Sequence, residues 1–171
     1  MLFRSQVVIL PNNKNIIPVA KQIDALTTKD VRVVPTCSMP EALAALVSYD
    51  PEASAESNAR SMSAAAEAVA TGEVTQAVRD TNSEAGKVTE GDWIGLVRGD
   101  GIVSIAGTVV GSATQLLEHL IDESRELLTI VTGDGATTAA TDQITAWVTE
   151  NRPDVAVEIH FGGQPLYPYL F

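Results

Sequence analysis

Polar side chains follow the two apolar runs at the start of the chain, Val7–Leu10 and Val31–Val34. After the first come Asn12, Asn13, Lys14 and Asn15, and after the second come Thr36 and Ser38. Neighbouring parallel strands end at one edge of an α/β sheet, where ligands commonly bind. Backbone N–H groups at the start of a following helix favour an anion or polar group. The spacing therefore predicts a polar-ligand site, although turn and capping chemistry also selects Asn and Ser at such positions.

Paired glycines and tyrosines near the C-terminus form a second candidate site. The segment contains Gly162, Gly163, Gln164, Tyr167 and Tyr169. Paired glycines allow positive φ or close backbone approach, and tyrosines combine apolar rings with polar hydroxyls. Exposed, the segment would be a contact loop; otherwise it would simply end a strand. The sequence leaves both readings open.

The remaining reactive side chains form no catalytic pattern. Cys37 has no recognisable partner base, and Gly133-Asp134-Gly135 lacks the Gly-Lys-Ser/Thr ending of a phosphate loop and is typical of a turn. Glu158 and His160 share one face of a predicted strand, but a metal site needs at least one further placed ligand. We therefore predict no catalytic residue and no metal site in this chain.

The composition indicates an acidic globular protein. Its 171 residues include 22 acidic and 11 basic side chains, a net charge of -11, and 45% are hydrophobic. Such a charge repels nucleic-acid phosphates, which argues against a nucleic-acid partner. The single cysteine excludes an internal disulfide, and no apolar run reaches the ~18 residues that a membrane helix needs. We therefore expect a cytoplasmic protein without membrane insertion.

The elements that would position these residues fall into two lobes, of which the first is a partial parallel α/β lobe over residues 6–50. Asn15 is the predicted N-cap of its first helix, and Ser38 with Glu41 forms a predicted capping box for the second. The predicted buried positions of the first helix are Ile16, Ile17, Ala20, Ile23 and Leu26. Those of the second are Ala42, Leu43, Leu46 and Val47. Residues 51–71 predict a linking helix.

Residues 72–171 predict an α+β lobe. The turn Gly99-Asp100-Gly101 joins two apolar runs as a hairpin, which indicates a small antiparallel meander. The segment that begins at Leu127 predicts a strand, a helix and a last strand, and so a βαβ ending. In the last strand we expect four apolar side chains to face the core: Val155, Val157, Ile159 and Phe161.

The first lobe is predicted to be incomplete, because two strands are fewer than the about four to six of a typical sheet. We interpret residues 1–5 as a non-native leader, since a strong apolar run begins almost directly after them, and the chain as N-terminally truncated. The exposed strand edges that would result predict self-association.

Five motifs occur in order along the chain. They are Leu10-Pro11-Asn12-Asn13-Lys14-Asn15-Ile16, Val33-Val34-Pro35-Thr36-x-Ser38, Gly72-Glu73-Val74-Thr75 with Ala77-Val78-Arg79, Glu90-Gly91-Asp92 with Gly95, and Gly162-Gly163-Gln164-Pro165-x-Tyr167-Pro168. In this order they resemble the C-terminal region of the fatty acid kinase A subunit, the dihydroxyacetone kinase-like (DAK2/YloV-type) protein of bacteria. The resemblance covers residues 6–171. Cys37 and Glu41-Ala42 depart from its pattern, which has a basic residue and Gln-Gly there.

The resemblance implies a two-lobe, DegV-like fold, preceded in the longer protein by an ATP- and Mg-dependent kinase domain and a middle domain. It implies that the A subunit phosphorylates a fatty acid carried by a DegV-like B subunit, and that the acyl phosphate feeds phospholipid synthesis. The present domain is implied to dock the B subunit, without catalytic residues or a cofactor of its own. The motif positions carried over as binding residues are Asn12, Asn13, Lys14, Asn15, Thr36, Ser38, Arg79, Gly162, Gly163, Gln164 and Tyr167.

Two other functions stay open from the sequence. A DegV-like fold could hold an acyl chain between its lobes, which would make the chain a lipid-binding module. Alternatively, the Asn12–Asn15 and Gly162–Gln164 loops could serve an accessory or enzymatic domain that acts on a small phosphorylated or keto substrate.

Overall fold

A computed structural model of the protein describes residues 5–171. The predicted leader, residues 1–5, lies outside the described residues except for Ser5. The chain divides into two compact units, of which unit 1 ends at Ala70 and unit 2 comprises Thr71–Phe171. Both units combine helices with strands, which confirms the predicted α/β, two-lobe fold class.

Unit 1 is built on a two-stranded parallel sheet. Its elements are β1 Gln6–Ile9, α1 Ile17–Ala20, a 3-10 helix Ile23–Leu26, β2 Asp30–Val33, α2 Met39–Val47 and α3 Ala55–Ala68. The pairing of β1 with β2 is parallel, as predicted from their apolar runs. On one side of this pair, a small core joins Val8 and Leu10 to α2 and α3 through Ala45, Met62 and Ala66. The helix predicted as a link between lobes, α3, packs against β1, β2 and α2.

The first predicted helix is wrong in its start and extent. Its N-cap is Ile16 instead of Asn15, no side chain caps it, and it ends after four residues. Pro18 lies in the first turn, where it is tolerated, but the uncapped turn has little to stabilise its propagation. Of the predicted buried positions only Ala20 is buried, while Ile16, Ile23 and Leu26 are exposed.

The second helix begins as predicted but buries another face. The Ser38 hydroxyl accepts a hydrogen bond from the Glu41 N–H at 3.4 Å, and the Glu41 carboxylate accepts one from the Cys37 N–H at 2.7 Å. The buried residues of α2 are Glu41, Ala42 and Ala45, and Ala45 packs against Met62 and Ala66 of α3. The predicted positions Leu43, Leu46 and Val47 are exposed, and only Ala42 is buried as predicted.

Unit 2 contains a six-stranded mixed sheet. Its elements are β3 Gly72–Gln76, β4 Thr81–Ser83, β5 Gly86–Val88, β6 Trp93–Val97, β7 Gly101–Ala106, α4 Val109–Leu120, β8 Leu127–Thr132, α5 Thr138–Asn151, β9 Ala156–Phe161 and β10 Tyr169–Leu170. The strand order is β7-β6-β3-β10-β8-β9, and β4 pairs with β5 in a separate hairpin. The antiparallel series β3-β6-β7 confirms the predicted meander. The parallel pair β8 and β9, joined through α5, confirms the predicted βαβ ending.

The strand β10 closes the middle of this sheet and is absent from the sequence-based prediction. It pairs antiparallel with both β3 and β8. Tyr169 is fully buried, and its hydroxyl hydrogen-bonds the hydroxyl of Thr141 on α5 at 2.9 Å. Tyr169 therefore belongs to the core of unit 2 and not to a contact loop.

The last long strand, β9, is less buried than predicted. Val155 and Val157 pack partly against the core, whereas Ile159 and Phe161 are exposed. The position of β9 at the end of the strand order explains the difference, because an outermost strand has a neighbour on one side only. No helix in residues 5–171 combines the length and the apolar character that crossing a bilayer requires.

Candidate functional site

The ends of β1 and β2 are held together by Asn12 and Thr36. The Asn12 N–H donates to Oγ1 of Thr36 at 3.2 Å, and the Thr36 hydroxyl donates to Oδ1 of Asn12 at 2.7 Å. Thr36 is fully buried, and Asn12 adopts φ = +55°, a conformation that Asn tolerates better than most residues. The sequence motifs around these two residues therefore meet at one edge of the sheet.

Most polar groups of this edge bind one another. Asn12 Nδ2 lies 3.5 Å from the Met39 sulfur, and Asn13 Oδ1 accepts the Asn15 N–H at 2.9 Å. Ser38 caps α2. Asn13, Lys14 and Asn15 remain exposed, and we call residues 12–15 the Asn12 loop. The predicted anion site assumed a helix that Asn15 caps, whereas α1 has Ile16 as its N-cap and contains four residues.

In unit 2, three strand ends lie at a common edge. Because β10 is antiparallel to both β3 and β8, these two strands run in the same direction, and β9 runs parallel to β8. Arg79 follows β3 and is exposed, Gly133 follows β8, and Gly162–Gln164 follows β9. The topology thus places the Arg79 motif and the glycine-pair motif at one edge of the sheet.

Gln164 fastens the loop between β9 and β10. Its Nε2 donates to the carbonyl oxygens of Val131, at 3.1 Å, and Tyr167, at 3.0 Å. The backbone carbonyl of Gln164 accepts the Asp134 N–H at 2.8 Å. The side chain is therefore turned inward, where it holds the loop in place. The binding role that the sequence assigned to Gln164 stays a prediction.

The two glycines before Gln164 are required by close packing. Both backbone N–H groups donate to the Thr132 carbonyl, at 2.9 and 3.1 Å. A Cβ on Gly162 would collide with the Gln164 side chain and with Val131. Gly163 has φ = +64°, which favours glycine. These positions shape the backbone and bring no functional group of their own.

Tyr167 and Leu166 form the tip of the same loop. Tyr167 is half-buried, and this burial raises the pKa of its hydroxyl. The negative charge of the nearby Glu73 carboxylate raises it further. The Leu166 carbonyl accepts a hydrogen bond from the Thr75 hydroxyl at 2.7 Å. Leu166 has φ = +70° and is 76% exposed, an unusual combination for a large apolar residue. Sequence reasoning did not single out Leu166, because neither its type nor its neighbours signal positive φ.

The other chemistry-bearing side chains are dispersed. Glu158 and His160 are 3.6 Å apart on β9, and His119 lies 3.2 Å from Asp100. Within residues 5–171 no three potential ligands of the His, Cys, Asp and Glu types come together as a metal site. Cys37 is half-buried, with its sulfur 3.7 Å from the Pro35 carbonyl oxygen.

Unit 1 also contains an open groove of about 510 Å³ beside β1. Apolar side chains from β1, the residue that follows it, α2 and α3 line it: Val8, Leu10, Leu46 and Met62. The polar lining residues Gln6 and Asn58 are engaged in hydrogen bonds with the backbone of Ala55 and Asp50. The lining also includes Ser5, Tyr49 and Glu52, so the groove presents polar groups beside its apolar contacts.

Comparison with known proteins gives a consistent assignment. The FakA-like family, described as fatty acid kinase A subunit-like, C-terminal, matches residues 3–171. Uncharacterized protein SH1689 of Staphylococcus haemolyticus is 42% identical over 164 residues, which cover 96% of this chain and 30% of that protein. Uncharacterized protein SAB1090 of Staphylococcus aureus is 38% identical over 164 residues, with the same coverage of both chains. The chain thus spans about 30% of the length of these curated relatives. It belongs to the family of fatty acid kinase A subunit-like C-terminal domains.

Proposed function

We propose that this chain docks the fatty acid-carrying subunit of a two-component fatty acid kinase. In the proposed reaction, the longer protein to which such a domain belongs transfers the γ-phosphoryl group of ATP to the carboxylate of a fatty acid. The products are an acyl phosphate, which feeds phospholipid synthesis, and ADP. The fatty acid is held by a DegV-like partner, and ATP with Mg²⁺ is held by the kinase domain of the longer protein. Family membership supports the assignment of this chain to such a kinase.

One structural observation supports docking over substrate chemistry. The motif side chains Asn12, Thr36 and Gln164 bind their own backbone neighbours or one another and thereby fix two surface loops. Around them, Asn13, Lys14, Asn15 and Leu166 stay exposed. Loops fixed in one conformation lose little entropy when a partner binds, which favours protein recognition.

Calorimetric titration tests this proposal. The purified 171-residue chain is titrated with a panel of bacterial DegV-like fatty acid-binding proteins, each with and without palmitate. We expect saturable one-to-one binding with a dissociation constant below about 100 μM, which corresponds to roughly −5.5 kcal/mol. Serum albumin loaded with palmitate is the control for lipid transfer without docking. If no protein of the panel binds at this concentration, the docking proposal is wrong.

A second candidate function is binding of an acyl chain in the groove of unit 1. Its volume of about 510 Å³ lies within the usual range for ligand sites, and Leu10, Leu46 and Met62 offer apolar contacts. The Glu52 carboxylate in its lining would oppose a fatty acid headgroup. Equilibrium dialysis with radiolabelled palmitate tests this alternative. Saturable uptake that is lost in Leu10→Trp, which would fill the groove, would favour a lipid-binding module.

A further inference from the structure

We infer that two copies of this chain associate through the free edge of β9, antiparallel to each other and with Ile159 of one copy opposite Ile159 of the other. The partner at this edge is thus a second copy of the chain, related to the first by a two-fold axis. The inference goes beyond the proposed function, because it concerns contact between copies and not contact with the fatty acid-carrying subunit.

The backbone of β9 directs hydrogen-bonding groups to its free edge. This strand is the last in the strand order, with β8 as its neighbour. At its start the Ala156 N–H donates to the Glu126 carbonyl at 2.8 Å, and just after its end the Gly162 N–H donates to the Thr132 carbonyl at 2.9 Å. The even-numbered residues therefore face β8, and the N–H and C=O groups of the odd-numbered residues point away from it. A second strand placed there would pair with these groups.

The side chains of β9 leave this edge unprotected. In the register with β8, Ile159 lies beside Ile130 and Phe161 beside Thr132, yet Ile159 is 49% exposed and Phe161 88% exposed, while Ile130 is fully buried. Proteins commonly protect strand edges with lysine, proline or a bulge. The residues of β9 include neither lysine nor proline, and its register with β8 is unbroken. The other outermost strand, β7, has a register shift against β6, so β9 is the edge that is open to pairing.

Charge complementarity identifies the partner as a second copy. Glu158 and His160 are exposed on one face of β9, with their side chains 3.6 Å apart. When Ile159 pairs with its own copy, Glu158 of each copy faces His160 of the other, and a carboxylate accepts a hydrogen bond from an imidazole in either of its protonation states. On the opposite face, Val157 of each copy meets Phe161 of the other.

The neighbouring registers lack this complementarity. The outward-pointing backbone groups belong to every second residue, so the register can change only in steps of two. A step in one direction places Glu158 opposite its own copy, and a step in the other direction places His160 opposite its own copy. Like side chains directly opposite each other are unfavourable when they are charged, so the pairing centred on Ile159 is selected.

Sedimentation equilibrium of the 171-residue chain tests the association. The net charge of -11 opposes contact between copies, so the measurement extends to about 200 μM, and we expect a monomer–dimer equilibrium within that range. Ile159→Lys places two ammonium groups at the two-fold axis and should raise the dissociation constant at least about tenfold. Leu127→Lys is the matched control, because Leu127 is 55% exposed but lies in β8, which is not an edge strand. It should dimerise like the wild type.

An exchange of charges tests the register without a change at Ile159. His160→Glu alone brings four carboxylates together in the dimer, and Glu158→Lys alone removes the carboxylates that the imidazoles face. We expect each variant to dimerise at least about tenfold more weakly than the wild type. In an equimolar mixture of the two, an ammonium group of one variant faces a carboxylate of the other, and His160 of the first faces Glu158 of the second. The mixture should therefore associate more tightly than either variant alone.

The outcomes decide the inference clearly. A wild type that stays monomeric at about 200 μM overturns it. So does an Ile159→Lys variant that dimerises as well as Leu127→Lys, because the contact would then lie outside the β9 edge. If the mixture of charge variants associates no better than the separate variants, the register centred on Ile159 is wrong. The mixture contains the same two proteins as the separate samples, so a gain in association cannot come from a difference in folding.

Discussion

The Thr36 hydroxyl and Asn12 bind each other in both directions, with the hydroxyl donating to Asn12 Oδ1 at 2.7 Å and accepting from the Asn12 N–H at 3.2 Å. Thr36 is fully buried and Asn12 is half-buried, so water has limited access to both bonds. The Asn12 loop is thereby attached to the end of β2, and this pair explains why Asn and Thr occupy these positions without a ligand.

Replacement of Thr36 by valine should test this contact, since it keeps the shape and removes the hydroxyl. The Asn12 N–H and Oδ1 lose their partner at a partly buried site, so we expect the free energy of unfolding to fall by about 1–3 kcal/mol. Urea unfolding followed by circular dichroism measures the change. Thr28→Val, at an exposed position of the same unit, is the control and should differ from the wild type by less than about 0.5 kcal/mol. Equal effects of the two variants would contradict a stabilising role of the pair.

The Gln164 side chain should be as important for unit 2 as Thr36 is for unit 1. Gln164→Ala leaves the carbonyl groups of Val131 and Tyr167 without its two hydrogen bonds, and we expect a loss of about 1–3 kcal/mol in unfolding free energy. Gln143→Ala on the exposed surface of α5 is the control. If Gln164→Ala weakened partner binding but melted like the wild type, Gln164 would be a contact residue and not a fastening one.

The sequence predicts the elements that have a strong local signal. The apolar run of β1, the hairpin at Gly99–Gly101 and the Ser38 cap each come from residue types whose preferences agree with the final structure. The strand β10 has no such signal. It contains two residues, and Tyr169 becomes a core residue only because the chain end returns between β3 and β8. Such long-range pairing cannot be read from spacing alone.

The prediction of buried faces was less accurate. Spacing along α2 favoured Leu43, Leu46 and Val47, but the face that packs against α3 contains Ala45. For β9, alternation identified a strand but not its place as the outermost one, so Phe161 was expected in the core. The candidate site shows the same limit. The sequence assigned Asn12, Thr36 and Gln164 as binding positions, and in the structure their side chains bond other groups of the same chain. The exposure of Phe161 and Leu166 depends on the three-dimensional arrangement.

The hydroxyls of Tyr169 and Thr141 should be energetically coupled. They are 2.9 Å apart in the core, so each single variant, Tyr169→Phe or Thr141→Val, leaves one buried hydroxyl without this partner. We expect each to cost about 1–2 kcal/mol and the double variant to cost less than the sum. A double-mutant cycle from chemical denaturation measures the coupling. Strictly additive effects would show that the two hydroxyls do not depend on each other.

Tyr167 should make stability fall at alkaline pH. Burial, and then the Glu73 carboxylate, raise the pKa of the folded-state hydroxyl above the value of about 10 of an unfolded chain. Above pH 10 the unfolded chain therefore gives up this proton more readily than the folded protein, and the equilibrium shifts towards unfolding. The contribution is fully present below about pH 10 and is lost as the pH rises through the folded-state value.

The Tyr167→Phe variant has no hydroxyl proton to lose at this position, so its melting temperature should fall less between pH 9 and pH 11. All other side chains are the same in both proteins, and Tyr49→Phe, at an exposed position of unit 1, is the control. Parallel pH profiles for Tyr167→Phe and the wild type would contradict the raised pKa and the burial of the loop tip that causes it.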